Sequence, residues 1–349
     1  MPPTAVRPLL PPRALCAALL CAALAMLAAC SPYKVAGDHL MRFSEKVIVP
    51  HELGGTDLGI GCQAVLSWTA PGIAFEQVGT DVRQIAVLLE LTAGVCSEIR
   101  ALDSELAFLR AMRAQQPYLA QDARIEQKRA LAIAARRQYS AYRRFVAHYG
   151  APTEGRCPAF ENDFDELVYM IGMLAGVQAM INDAQTGQFI SVPRDIAPAI
   201  THMVNCIDGE KWWDIPNGVR AAIWHTIPLF APPDVNAMEI MERVAERGER
   251  DGVRLGHVIW AMASVNSGDT ANAKRAIRDF SSPPADFMAN PKYRMLDTVA
   301  ADILLAVSDR IWTEQAGHRT PVGGLGTFPD DPPKRAAGGI DDLLPGGGE

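Results

Sequence analysis

The sequence predicts an all-α fold of irregular stacked helical hairpins, with a secretory leader before it and a disordered tail after it. Three observations carry this prediction. Long stretches are rich in alanine and poor in aromatic residues (7% of the chain), and they lack the alternating valine and threonine of half-buried strands. From Thr80 onward apolar residues recur close to every 3.6 positions. Glycine and proline then interrupt the pattern at intervals that suit helices of ordinary length.

The first 29 residues read as the leader. Arg7 and Arg13 form a positive start without an acid, and Ala14 to Ala29 is apolar and ends in small residues. At about 16 residues the apolar run is shorter than the ~20 a membrane-spanning helix needs. Pro2, Pro3, Pro8, Pro11 and Pro12 also disfavour a continuous helix there. Leu27-Ala28-Ala29-Cys30 has the form of a lipobox, which makes Cys30 the expected acylated N-terminus of the mature chain. Ser31 stands next, where lipoproteins held at the inner membrane often carry aspartate. The resemblance to sorted lipoproteins therefore implies the periplasmic side of the outer membrane of a Gram-negative cell. Residues 30–46 are expected to be a leash, 47–316 the helical domain and 317–349 the tail, which is too poor in large apolar side chains to offset the entropy of ordering.

Loss of Arg7 and Arg13 with the leader leaves 31 basic residues against 40 acidic ones, a net charge of −9, which excludes general nucleic-acid binding. Of the seven cysteines, Cys16 and Cys21 leave with the leader and Cys30 takes the lipid. Cys62, Cys96, Cys157 and Cys206 remain, an even number suited to two disulfides in an oxidising compartment. Cys62–Cys96 with Cys157–Cys206 would link neighbouring predicted helices, but the sequence leaves three pairings open. No CxxC or HxxxH spacing accompanies the cysteines, so neither a metal nor a cofactor is expected.

Val47 to Gly79 is rich in glycine and reads as a short helix between loops. A long helix follows from Thr80 to about Gln116, broken at Gln116-Pro117, and a second runs from about Tyr118 to Tyr149. At 100° per residue, Leu131, Ala135, Tyr142, Phe145 and Tyr149 share one face of the second helix. Arg129, Arg136, Arg137, Arg143 and Arg144 lie opposite, either as a docking surface for an acidic partner or phospholipid head groups, or as a solvated face. Gly150 to Pro158 is the best internal boundary. Glu161, Asp163, Asp165 and Glu166 then open a helix to about Asp183, their charge suited to its N-terminal dipole rather than to a calcium loop. Leu167 to Ile181 is apolar nearly all round and reads as the central buried helix. Gly172 and Gly176, one turn apart, admit a neighbouring helix. Further helices are expected near Pro193–Ile207, Asn217–Phe230, Val235–Arg250, Leu255–Asn266, Thr270–Phe280 and Pro291–Gln315.

Trp212, Trp213 and Trp224 form the richest aromatic cluster. They stand either as the wall of a pocket for an apolar or carboxylated ligand, with Arg194 on a loop at its mouth, or as core anchors. The sequence lacks a nucleophile elbow, a phosphate-binding glycine loop and a zinc-protease helix, so no catalytic residues are assigned. An uncatalogued hydrolase would have to draw on His51, Glu52 or Asp195.

Trp260 to Ile277 reads as a helix, a Gly268-Asp269 turn and a helix, with Ala261 and Ala273 where the two touch, as in a tetratricopeptide repeat. The lipobox, the Asp165-Glu166-Leu167 start of the Gly172/Gly176 helix, the Trp212-Trp213 segment and this helical pair together resemble the T-component helical lipoproteins of tripartite ATP-independent periplasmic transporters, and related lipid-trafficking components. The resemblance spans about Asp57 to Gln315. It implies a non-enzymatic helical scaffold that partners a periplasmic substrate-binding protein or transporter and hands over a small apolar or amphipathic ligand. It is also compatible with a homo-oligomer. A structural envelope lipoprotein without a ligand is the alternative.

Overall fold

A computed structural model of the chain describes residues 31–151 and 156–332. The leader, Cys30 and the tail beyond residue 332 lie outside these residues. The described chain is helical, with no strand among the described residues. In order, the helices are α1 (Pro32–Phe43), α2 (Val49–Leu53), α3 (Leu58–Ala74), α4 (Arg83–Arg113), α5 (Pro117–Tyr149), α6 (Asp163–Thr186), α7 (Ile196–Met203), α8 (Ile215–Thr226), α9 (Ala237–Arg250), α10 (Leu255–Asn266), α11 (Thr270–Ser281) and α12 (Arg294–Ala316). The all-α expectation holds, and helices α4 to α12 fall close to their predicted positions.

The helices form two compact units. Unit 1 is drawn from the described chain up to Glu98 and from Leu131–Ile207, and unit 2 from Ile99–Ala130 and the described chain from Asp208. The boundary expected at 150–158 therefore falls inside unit 1. The chain on its two sides is held together there by the Cys157–Cys206 disulfide and by the bond from the Tyr149 hydroxyl to Asp165.

In unit 1, α6 is the buried centre, as its composition predicts. Asn162 caps it by accepting from the Asp165 N–H at 3.0 Å, and three acids occupy its first turn. Its two glycines make room for the second half of α5. A Cβ at Gly172 would stand 2.4 Å from the Phe145 ring, and one at Gly176 would stand 2.6 Å from the Tyr142 ring. Two disulfides staple the unit. Cys62–Cys96 joins α3 to α4 and Cys157–Cys206 closes the segment after α5 onto the end of α7, with Cα separations of 5.8 and 5.2 Å.

Two expectations fail in the N-terminal part. The leash does not extend to residue 46: Pro32 starts α1 at a position where its missing N–H is harmless, and the chain stays helical through a π-helical turn at Ser44–Ile48 into α2. Met41 packs in a core with Val82, Ile85 and Ala86, and Gly37 lies against Phe75 and Thr80. The stretch read as loops about a short helix holds α3, a 17-residue helix capped by Asp57, whose carboxylate accepts from the Ile60 N–H. Pro71 lies inside it, so the carbonyl of the exposed residue Ser67 loses its helical N–H donor.

In unit 2, α8 to α12 pack as successive pairs around Met241, Ala245, Ala261, Ala276, Ile277, Ala300 and Leu304. The Trp260–Ile277 segment is a helical hairpin with Ala261 and Ala273 fully buried. A buried ion pair pins α10 to α12. Asp297 accepts from the Arg254 backbone N–H and from two guanidinium nitrogens at 2.7–3.1 Å, while Arg254 Nη1 donates to the Phe280 carbonyl. The guanidinium also lies 3.8 and 4.1 Å from the centres of the Phe280 and Phe287 rings.

Residues 317–332 correct the expectation of a tail disordered from 317. Phe328 is buried in the unit 2 core, the Trp312 indole donates to the Thr327 carbonyl, and Lys274 pairs with Asp330 at 2.7 Å. Phe328 and Leu325, with their polar neighbours, hold this stretch on the core. Residues 333–349 lie outside the described chain.

Candidate functional site

The aromatic cluster belongs to the core of unit 2. Trp212 and Trp213 are 1% and 4% exposed, stacked edge-on to each other and to Tyr293. Trp213 and Asp214 take left-handed backbone conformations, φ 55° and 60°, in the turn before α8. The packing of both indoles on Tyr293 holds the turn in this disfavoured region. Trp224 is half-buried with the Arg220 guanidinium 5.2 Å from its ring. Arg194 is an exposed residue of unit 1. The pair therefore acts as a core anchor, and neither indole of Trp212-Trp213 is presented to a ligand.

The five arginines of α5 divide into two sets. Arg129, Arg136 and Arg143, seven apart, are exposed. Arg137 and Arg144 are turned into unit 1. Arg137 Nη1 donates to the Ala93 carbonyl and the Ser97 hydroxyl of α4. Arg144 bridges Glu76 at 3.2 Å and Glu90 at 3.3 Å. Burial pushes the Glu90 carboxyl above its usual range, and the bond from the Ser140 hydroxyl and the charge of Arg144 pull it back. Nothing in the sequence marks Glu76 and Glu90 as its partners, because they are far from it along the chain.

The α4–α5–α6 layer carries further polar contacts that the sequence pattern concealed. Glu98 Oε1 accepts from Gln138 Nε2 at 2.9 Å and from Asn182 Nδ2 at 2.5 Å. Desolvation raises the Glu98 carboxyl above its ordinary value, and the two amides oppose that rise. Asp165 Oδ1 accepts from Gln84 Nε2 and from the Tyr149 hydroxyl. Burial and the Asp165 bond hold the Tyr149 phenol well above its usual range, so it stays a donor. Beside it, burial lowers the His148 imidazole, with Arg83 adding to the effect.

A cleft of about 260 Å³ opens over this layer, with Asp38, Arg42, Glu45, Asp81 and Gln84 around Met41, Ile85 and Phe164. Its acids already have partners: Lys34 bonds Asp38 at 2.6 Å, and Arg83 holds Asp81 down to about 2. The arrangement clamps the N-terminal helix to α4 and α6, and no nucleophile–base pair lies in it. His51, Glu52 and Asp195 are all exposed, and no group of three or more potential metal ligands occurs among the described residues.

Helix α3 has no charged residue from Leu58 to Ala74 and exposes much of its apolar surface. Among the described residues, two helical stretches are long and apolar enough to cross a membrane by length and composition. Most of the apolar window of Asp163–Thr186, which is α6, is buried, whereas almost none of that of Leu58–Val78 is. Ile60 is 65% exposed and Leu66 46%.

No protein family, curated protein or solved structure gives a significant match to this chain.

Proposed function

We propose that the chain is a non-enzymatic helical adaptor, acylated at Cys30 and held on the periplasmic side of the outer membrane, where it presents its surface to a soluble partner of a transport system. One observation carries this reading. Cys62, Cys96, Cys157 and Cys206 are consumed in two disulfides, so an oxidising compartment suits the fold, and Cys30 is left over at the end of a leader that matches the acylation signal. The exposed Arg129, Arg136 and Arg143 supply the docking face for an acidic partner, such as a periplasmic substrate-binding protein. Confinement to a surface raises the effective concentration at which such a partner is met.

Burial of Trp212 and Trp213 shifts the balance away from ligand hand-over by that cluster and towards scaffolding. Pull-down from a membrane extract tests the adaptor reading. A periplasmic binding protein recovered by the native protein and lost with alanine at positions 129, 136 and 143 supports it. Recovery that ignores the three arginines counts against it.

A further inference from the structure

The sequence around α3 is ordinary for a membrane-facing surface and unusual for a water-facing one. Over 17 residues it carries no charge, in a chain where charged residues make up 21%. Its two faces are distinct. At about 100° per residue, Gly61, Cys62, Val65, Thr69, Gly72 and Ile73 fall within one arc, and these are the positions shielded by the body of unit 1. The exposed positions fill the remaining arc of about 200°, with Ile60, Ala64, Pro71 and Ala74 towards its centre beside the uncharged Gln63 and Ser67, and Leu66 and Trp68 at its two edges. The hydroxyl groups are satisfied inside the helix: Ser67 donates to the Gln63 carbonyl at 2.9 Å and Thr69 to the Val65 carbonyl at 2.6 Å. Ser104, Thr226 and Thr298 make the same bond to the i−4 carbonyl on other helices, so the bond suits an apolar surface without marking one.

Two ties fix how α3 can meet a membrane. Cys62 is bonded to Cys96, and Gly72 lies against the Leu89 side chain, so one flank is tied to α4 near each end. A helix fastened in this way cannot be surrounded by acyl chains and can only lie flat. The chain outside the structure names the occupant. If Cys30 is acylated, as the adaptor reading holds, only Ser31 separates the lipid from α1. At about 3.5 Å per residue, the start of α1 then stays within about 7 Å of the anchoring residue. α1 packs through Gly37 on Phe75, in the turn that ends α3, and itself exposes Tyr33, Val35 and Phe43. We infer that α3 is an in-plane membrane helix whose exposed face, from Leu66 at one edge through Ile60 to Trp68 at the other, rests in the head-group and upper acyl region of the bilayer that holds the anchor. The chain then has two membrane contacts, an acyl anchor and an apolar helix face, and the second sets the orientation of unit 1.

The test uses the native full-length protein reconstituted in phosphatidylcholine vesicles, with and without brominated acyl chains. Brominated lipid is expected to quench part of the tryptophan fluorescence, with Trp68→Phe removing most of the quenched part. A second variant, Ile60→Lys with Leu66→Lys, keeps Trp68 and should reduce its quenching at least twofold. Quenching that is the same in the native protein and in Trp68→Phe overturns the assignment. So does an unquenched Trp68 in a protein that sediments as an oligomer, because a second copy then covers the arc. The mass of residue 30 in the same preparation separates the two readings: an acylated Cys30 with unquenched Trp68 sinks the α3 assignment alone. Unmodified Cys30 with quenched Trp68 sinks the anchor and upholds the helix face.

Discussion

Replacement of Asp297 by alanine exposes the most stringent energetic demand in unit 2. Asp297 is 7% exposed and Arg254 8%, and the carboxylate accepts three hydrogen bonds from that one arginine. Removing it leaves a guanidinium charge between two phenyl rings with one carbonyl acceptor, Phe280 O, still in place. Breaking a buried pair from one side costs about 3–5 kcal/mol, because the remaining charge loses its solvation without its partner. At about 2–4 °C per kcal/mol for a unit of this size, the midpoint of the transition that includes unit 2 falls by about 10 °C. Calorimetry and urea unfolding read this directly. The double replacement Arg254→Met with Asp297→Leu removes both charges together and should recover most of the loss. A single Asp297→Ala variant within about 1 kcal/mol of the native protein would show that the pair is not the desolvated clamp described here.

Three further outcomes are expected. Serine at Cys62 releases a loop of 34 residues; by the chain-entropy relation this lowers stability by about 4 kcal/mol, and reductant should then destabilise the variant less than the native protein in urea. Arg144→Ala leaves Glu76 and Glu90 without their shared cation and should cost about 1–3 kcal/mol, whereas Arg143→Ala, at an exposed position, should stay within about 0.5 kcal/mol; equal effects would contradict the division of the stripe. Glu98 has a folded-state value raised above its unfolded one, so the native chain binds the proton more tightly and loses stability as pH climbs from about 4.5 through that raised value. Glu98→Gln keeps a carbonyl for Gln138 and Asn182, and should be more stable than the native protein at pH 8 with a flatter profile in denaturant unfolding at pH 5 to 8.

The long elements were legible because α5 buries one apolar stripe and α6 is apolar nearly all round. α4, α5 and α6 appear where the apolar spacing places them, and Gly172 and Gly176 do admit Phe145 and Tyr142. Angular arithmetic could not say which flank of α5 a neighbour would cover. Arg137 and Arg144 lie about 100° round from Arg129, Arg136 and Arg143, on the side taken by α4, and their long side chains reach carbonyls and carboxylates there. Glycine and Pro71 concealed α3, because local propensity argues for loops where a disulfide and a cap hold a helix. The tryptophan pair illustrates a general ambiguity. Two adjacent indoles look the same in sequence whether they line a pocket or fill a core, and only the placement of Tyr293 beside them decides. Phe328 was invisible for the opposite reason, as a lone aromatic in a stretch of glycine, proline and aspartate.

Mass spectrometry of residue 30 in protein purified from its native membrane bears most directly on the proposed tether. A mature chain that begins at Cys30, carries diacylglycerol on its sulfur and keeps both other cysteine pairs oxidised is the expected result. An unmodified thiol at position 30, or a cytosolic product that retains residues 1–29, would contradict the account.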